Sequence, residues 1–153
     1  MNKKTAQHGF TLIELVLVIL ILGILAALAL PRFISLQREA RIAAVDSFYT
    51  ALKSGSNIVY AKAAANGQVD NANAGIDIDG NGTNDIVADY GYPEADTPDL
   101  QPLFDDLSTR YVFTDNGTSV TVAFDGIANC QVEYTGVAAA GGSPTITRTT
   151  TGC

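Results

Sequence analysis

A single acidic residue lies inside the most apolar part of this chain. Glu14 is the one charged residue between Phe10 and Leu30, and a carboxylate within a bilayer is costly unless it has a partner. Cleavage after Gly9 would create one, because residue 10 would then carry a free α-amino group. Parallel copies of the segment could pair that amine with a neighbour's Glu14 in a low-dielectric seam. If the chain were cut between Gly9 and Phe10, this spacing would favour self-association through Phe10 and Glu14.

A second set of oxygen-bearing side chains lies in the polar half of the chain. A hard cation such as Ca²⁺ takes about six to eight oxygen ligands, and Asp or Asn occurs at alternate positions here. The predicted ligands are Asp77, Asp79, Asn81, the carbonyl of Thr83, and Asp85. The pattern departs from an EF-hand loop where Ala88 replaces the bidentate Glu, so that Asp89 would have to supply that ligand. An Asx-rich turn without a metal is the alternative.

Other kinds of catalytic site are not supported by the residues present. His8 is the only histidine, and cleavage after Gly9 would remove it, which excludes histidine-based nucleophilic and metal sites. The paired acids Asp105 and Asp106 would not face each other on a helix, as a glycosidase would require. The sequence has no phosphate-binding loop and no cofactor fingerprint. We therefore expect that the protein is not an enzyme.

The apolar segment is long enough to cross a membrane as a helix. Residues 10–30 hold one charge, and a helix of that length spans roughly 30 Å, the thickness of a bilayer core. An ordinary secretory signal is one alternative, because Ala27-Leu28-Ala29 offers a small-x-small cleavage site. A simple membrane anchor, in which Glu14 has no special role, is the other.

The helix is expected to continue beyond the apolar segment as an amphipathic helix. Pro31 would kink it without ending it, and Asn66-Gly67 would close it near Ala65. Apolar or small residues recur every three or four positions, which predicts one buried face: Phe33, Leu36, Ala40, Ala44, Phe48, Leu52, Gly55 and Val59.

The rest of the chain is expected to form a globular head over residues 67–153. An irregular connection is predicted for 67–110, with a short helix that Thr97 caps and that runs through Leu103 and Phe104 to Leu107. Turn signals at Asn116-Gly117 and Asp125-Gly126 indicate hairpins. Period-two patterns in 111–153 predict strands at Tyr111–Thr114, Ser119–Phe124, Ala128–Thr135 and Thr145–Thr151.

These patterns predict an α+β fold. A long N-terminal helix over about 10–65, transmembrane in its first half, would pack its second half (31–66) against a small antiparallel sheet of three or four strands. Residues 70–125 hold twelve acids against one base, Arg110, which argues against nucleic acid as a partner of the head. Residues 32–62 are mainly basic, so the stem of one copy would attract the head of another; an acidic surface that only faces solvent is the alternative.

The two cysteines, Cys130 and Cys153, are the only ones in the sequence. An exported protein meets an oxidising environment, so the pair is expected to form a disulfide. On the chain-entropy model that bond would contribute about 3 kcal/mol.

The segment Gly9-Phe10-Thr11-Leu12-Ile13-Glu14, ahead of the apolar run, resembles the N-terminal signal of type IV pilins and pseudopilins. The resemblance implies a leader peptide, residues 1–9, with Lys3 and Lys4, and cleavage before Phe10 by a prepilin peptidase that also methylates the new amine. It implies a single-pass inner-membrane precursor that an assembly platform and its ATPase add to a helical homopolymer. The resemblance also implies a disulfide that closes a C-terminal loop, as expected for Cys130 and Cys153.

Two further stretches, residues 31–41 and 90–93, are similar to mannose-sensitive haemagglutinin (MSHA) pilins of Gram-negative bacteria. That likeness implies a subunit of an extracellular, retractable fibre used in adhesion and biofilm formation. A type II secretion pseudopilin is the alternative; the loop 77–85 favours it mildly and the two cysteines disfavour it. A soluble exported calcium- or sugar-binding module is the third reading. Tyr90 and Tyr92 could stack on a pyranose, although packing in a loop is their more ordinary role.

Overall fold

The computed structural model describes residues 10–104, 107 and 109–153. They form two compact units, the first ending at Arg38 and the second spanning Glu39–Cys153. Helix α1, Leu12–Ala65, contributes to both units. All the strands, and one short helix, lie in the second unit.

Helix α1 ends as its sequence predicts. Gly67 has a φ of +68°, a left-handed conformation that costs glycine nothing and that most residues avoid. Its N–H donates to the carbonyl of Ala64 at 3.1 Å, and the N–H of Gln68 donates to that of Ala63 at 2.8 Å. These two bonds form a Schellman motif, which satisfies carbonyls that the last turn of a helix would leave unpaired. The predicted end near Ala65 is confirmed.

The buried face of α1 is shorter than the predicted one. Phe33 and Leu36 are 66% and 59% exposed, and Ala40 is also exposed, so their predicted burial is wrong. Regular apolar spacing shows which side chains share a face of a helix, but not whether anything covers that face. The apolar α1 side chains that the structure buries are Val45, Phe48, Leu52, Val59 and Ala63.

Residues 67–110 contain a small sheet, so the prediction of an irregular connection over the whole range is wrong. Three antiparallel strands pair in the order β1-β2-β3: β1 is Ala74–Ile76, β2 is Ile86–Asp89 and β3 is Tyr92–Pro93. Each has two to four residues, which is too short for an alternating pattern to be recognised. The buried side chains of β1 and β2 pack against Val59 and Ala63 of α1.

The short helix after the small sheet also differs from its prediction. Helix α2 spans Thr97–Leu100, and Asp96, not Thr97, is its N-cap. The Asp96 carboxylate accepts from the N–H of Asp99 at 3.0 Å. A 3₁₀ turn, Gln101–Leu103, follows, and Pro102, which has no N–H to donate, cannot continue an α-helical ladder. Phe104 is extended and Leu107 lies outside any helix, so the predicted extension is wrong.

The larger sheet has four antiparallel strands in the order β4-β5-β6-β7. The turns at Gly117 and Gly126, with φ of +86° and +67°, are the predicted ones. The third strand begins later than predicted, because Asn129 has a φ of +60° and belongs to the turn. The observed strands are β4 Tyr111–Asp115, β5 Ser119–Phe124, β6 Gln131–Thr135 and β7 Thr145–Thr149.

The main core lies between this sheet and α1. Phe48 stacks on Phe104 and Tyr111, with ring centroids 4.6 Å and 4.8 Å apart. The buried Tyr134 of β6 donates its hydroxyl to the carbonyl of Pro93 in β3 at 2.7 Å, which ties the two sheets together. The expected α+β arrangement of a long N-terminal helix and antiparallel strands is therefore confirmed.

Candidate functional site

The N-terminal half of α1 exposes a continuous apolar surface. Phe10, two residues before the helix, is 85% exposed, and Leu12 and Ile13 at its start are 81% and 76% exposed. Within α1 there is a segment long and apolar enough to cross a membrane, and none of it is buried inside the described structure. A core helix of a soluble domain would be mostly buried, and this segment is not.

Glu14 is held at the start of this surface by Thr11. Its Oε2 accepts from the N–H of Thr11 at 3.0 Å and from the Thr11 hydroxyl at 2.8 Å, and the N–H of Glu14 lies 3.3 Å from the same hydroxyl oxygen. This is a capping box with Thr11 at the N-cap, which satisfies N–H groups that the first turn of a helix leaves unpaired. The pattern Thr-x-x-Glu, present in the sequence, could have revealed it.

The capping box gives Glu14 a role within one subunit in addition to the predicted one between subunits. Both hydrogen bonds from Thr11 end on one carboxylate oxygen, so they do not use the full accepting capacity of the group. Gly9, the predicted processing residue, lies outside the described residues. Pairing between Glu14 and the amine of another copy stays a prediction.

The predicted ligand loop brings three carboxylates together. One oxygen each from Asp77, Asp79 and Asp85 lies within 4.8 Å of the others. The Asp77 carboxylate accepts from the N–H of Gly80 at 2.6 Å and from that of Gly82 at 2.9 Å. The hydrogen bond from Gly82 is the main cause that lowers the pKa of Asp77, so this carboxylate is ionised at neutral pH.

The loop contains two successive Asx turns, in which Asp79 accepts from the N–H of Asn81 and Asn81 accepts from the N–H of Thr83. Asn81 accepts from the N–H of Thr83 at 2.8 Å and donates its amide to Asp79 at 2.8 Å. Asp89, which the sequence suggested as the bidentate ligand, is not part of the carboxylate group. It accepts instead from the N–H of Asn73 at 2.8 Å, because strand β2 carries it away from Asp85.

The two cysteines form the expected disulfide. Cys130 is fully buried and Cys153 is 8% exposed. The bond fastens the C-terminal residues to the end of the β5–β6 turn, where Gly152 also donates its N–H to the carbonyl of Asn129 at 2.9 Å. Arg41 of α1 donates to the carbonyl of Cys153 at 3.3 Å, which links the same segment to the helix.

A second acidic group, which the sequence reasoning missed, lies at the start of α2. Oxygens of Glu94, Asp96 and Asp99 lie within 4.8 Å of one another, and Asp99 is only 6% exposed. Asp99 accepts from the N–H of Val87 in β2 at 2.6 Å. Burial raises the pKa of Asp99 to about 7, and the neighbouring carboxylates of Asp96 and Glu94 act in the same direction. The three acids are neighbours in sequence around the N-cap of α2, and the tertiary structure adds the burial of Asp99 against β2.

Residues 4–30 match the family model described as the prokaryotic N-terminal methylation motif. A Thermus thermophilus protein, "Type IV narrow pilus major component PilA5", is 54% identical over 46 residues, 30% of this chain and 40% of that protein. The Myxococcus xanthus "Type IV major pilin protein PilA" is 48% identical over 52 residues, 31% of this chain and 24% of that protein. A "Fimbrial protein" of Moraxella nonliquefaciens is 41% identical over 75 residues, 48% of each chain. The chain is therefore similar to these pilins and fimbrial proteins over 30–48% of its own length.

The matched motif contains Gly9, Phe10 and Glu14. The acidic loop and the disulfide lie outside it. The chain spans between about a quarter and a half of the length of these relatives. No solved structure matches the chain significantly.

Proposed function

We propose that this chain is a structural subunit of a type IV pilus of the MSHA type, which polymerises through its N-terminal helix into an extracellular fibre. The observation that carries the proposal is the exposed apolar surface of α1, which begins at a methylation motif and has one carboxylate at its N-terminal end. A surface of this length has to be covered, and identical helices side by side cover one another.

The precursor would wait in the inner membrane as a single-pass protein with its leader still attached. Prepilin peptidase would cut between Gly9 and Phe10 and methylate the new amine. The assembly platform and its ATPase would then move the subunit from lipid into the fibre. Lipid tails are as apolar as the fibre interior, so hydrophobic burial contributes little to this transfer, and close packing and polar pairing have to direct it.

Glu14 supplies that direction. Its capping bonds with Thr11 keep the carboxylate at the first turn of α1, next to residue 10 of the same chain. A neighbouring subunit displaced along the fibre axis would bring its own amine to this carboxylate. In a dry interface an unpaired carboxylate is strongly unfavourable. The axial position of neighbouring subunits is therefore the one that pairs each carboxylate with an amine.

Mass spectrometry of the mature protein tests the processing step. We expect a chain that begins at a methylated Phe10. A chain that begins at Leu30 would instead identify an ordinary secretory signal, and an intact Met1 would identify a simple anchor. Either result would overturn the proposal.

Electron microscopy separates the pilus from a type II secretion pseudopilus. We expect long fibres on cells that carry the chain and none on cells that lack it. Loss of protein secretion without loss of surface fibres would favour the pseudopilin. Adhesion to abiotic surfaces and biofilm mass, compared between the same two strains, test the MSHA-type role.

We also propose a Ca²⁺ site at Asp77, Asp79, Asn81, Asp85 and the carbonyl of Thr83. The convergence of three carboxylates within 4.8 Å supports it. Calorimetry of the full chain in detergent, with and without chelator, should show binding at about 1 mM Ca²⁺ or below. Asp77→Asn should weaken it and the exposed Asp70→Asn should not. No heat of binding at that concentration would refute the site.

A further inference from the structure

A polar pocket of about 430 Å³ opens in the second unit beside α1. This volume is in the range of small-molecule sites. Three elements contribute to its wall: α1, strand β3, and the segment that leads into β7. The polar and aromatic side chains that matter here are Tyr49, Lys53 and Asn57 of α1, Tyr92 of β3, and Ser143 and Thr145.

Both tyrosine rings are held by neighbours outside the pocket. The ring of Tyr92 stacks on that of Tyr60, with centroids 4.7 Å apart. The guanidinium of Arg148 lies 5.7 Å from the ring centroid of Tyr49 and forms an ion pair with Asp46. These contacts fix the ring positions before any ligand binds, which reduces the entropy lost on binding. A phenol ring has a flat apolar face and a polar edge, as a sugar ring also has.

The charge of the pocket differs from that of the head around it. Among the described residues, Lys53 is the one charged side chain in the pocket wall, and it belongs to neither of the ion pairs that the structure forms, Arg110–Asp125 and Arg148–Asp46. An ammonium group donates up to three hydrogen bonds, and a carboxylate is its natural complement. Asn57, Ser143 and Thr145 add neutral donors and acceptors.

The geometry points to an acidic saccharide as the ligand of this pocket. A uronic acid ring would place its carboxylate at Lys53 and its apolar face against Tyr49 or Tyr92, and its hydroxyls would bond to Asn57 and the 143–145 segment. This site is independent of Glu14 and of fibre assembly. It also differs from the sugar contact suggested by the sequence, since Tyr92 lines the pocket and Tyr90 does not.

The test uses the full chain in detergent, with trigalacturonate as the acidic probe and trigalactose as its neutral counterpart. Saturation-transfer NMR and calorimetry should show saturable binding of trigalacturonate and weaker binding of trigalactose. Lys53→Gln should reduce the affinity for trigalacturonate about tenfold and abolish the preference for the acidic probe. Lys62→Gln, which removes the same charge from the same helix outside the pocket, should change neither.

Tyr49→Ala should weaken the binding of both probes, because it removes a stacking surface that does not depend on charge. Circular dichroism and urea unfolding of each variant confirm that the head remains folded. Absence of saturable binding to either probe would overturn the proposal, as would equal effects of Lys53→Gln and Lys62→Gln. Failure of fibre assembly in cells would contradict the proposed pilus function but not the saccharide site, because the binding measurements use unassembled subunits.

Discussion

Replacing Asp99 with asparagine should change how the stability of the head depends on pH. Asp99 is 6% exposed and accepts from the N–H of Val87 at 2.6 Å. Asparagine has nearly the same shape and keeps the oxygen that accepts this hydrogen bond. The substitution therefore removes the ionisation of the side chain while retaining the link between α2 and β2.

The direction in which stability changes with pH follows from the pKa values of Asp99 in the unfolded and folded states. The ordinary pKa of Asp99 is 3.8, and burial raises it in the folded head to about 7. Between these values the folded state binds more protons than the unfolded state, so the free energy of unfolding falls as the pH rises. At about 1.36 kcal/mol per pKa unit, Asp99 should remove roughly 2–3 kcal/mol of stability between pH 5 and pH 8.

Urea unfolding of the full chain in detergent at pH 5 and pH 8 measures this effect. Tyrosine fluorescence can follow unfolding, since the chain has six tyrosines and no tryptophan. The difference between the two pH values should be roughly 2–3 kcal/mol smaller in Asp99→Asn than in the wild type. Asp70→Asn, at an exposed acid of the same head, should behave as the wild type. If Asp99→Asn keeps the wild-type pH dependence, then Asp99 ionises normally and the argument from burial is wrong.

Two further predictions concern the core and the disulfide. Phe48→Ala should lower the free energy of unfolding by about 3–5 kcal/mol, because it empties the position that stacks on Phe104 and Tyr111; a loss below about 1 kcal/mol in urea unfolding would contradict this packing. Replacement of both Cys130 and Cys153 by serine should lower it by about 3 kcal/mol. Unchanged urea midpoints for the double variant would show that the disulfide does not stabilise the head.

Local signals in the sequence were enough to predict the long helix and most of the larger sheet. The end of α1 at Gly67 and the turns at Gly117 and Gly126 each need a residue with a positive φ. This is a local requirement, so glycine in the sequence was enough to predict it. Both ends of strand β5 were also predicted correctly, because the strand has six residues and its alternating pattern can therefore be recognised.

Features that depend on tertiary contacts could not be predicted from local sequence signals. The three short strands of the small sheet are defined by their pairing and not by a repeated pattern. Where burial of α1 begins depends on which elements cover the helix, so the spacing was misleading at Phe33, Leu36 and Ala40 but correct from Phe48 onwards. The burial of Asp99, which is the main cause of its raised pKa, depends on the way that α2 packs against β2.

The candidate assembly site was predicted from chemistry alone, and the structure adds a competing explanation for its acid. Glu14 could matter only because it caps α1 together with Thr11. Loss of a cap typically costs about 1 kcal/mol, whereas loss of a charge pair in a dry interface would leave an amine without its partner. The two roles therefore predict different results for substitutions at the two residues.

The most direct measurement compares fibre yield by electron microscopy for Glu14→Ala, Thr11→Ala and Glu39→Gln. All three variants should insert into the membrane and lose residues 1–9 normally. If Glu14 pairs with the amine of a neighbouring subunit, Glu14→Ala should abolish or sharply reduce fibres, whereas Thr11→Ala and Glu39→Gln should keep most of them. Normal fibre yield from Glu14→Ala, or an equal loss from Thr11→Ala, would contradict assembly through Glu14.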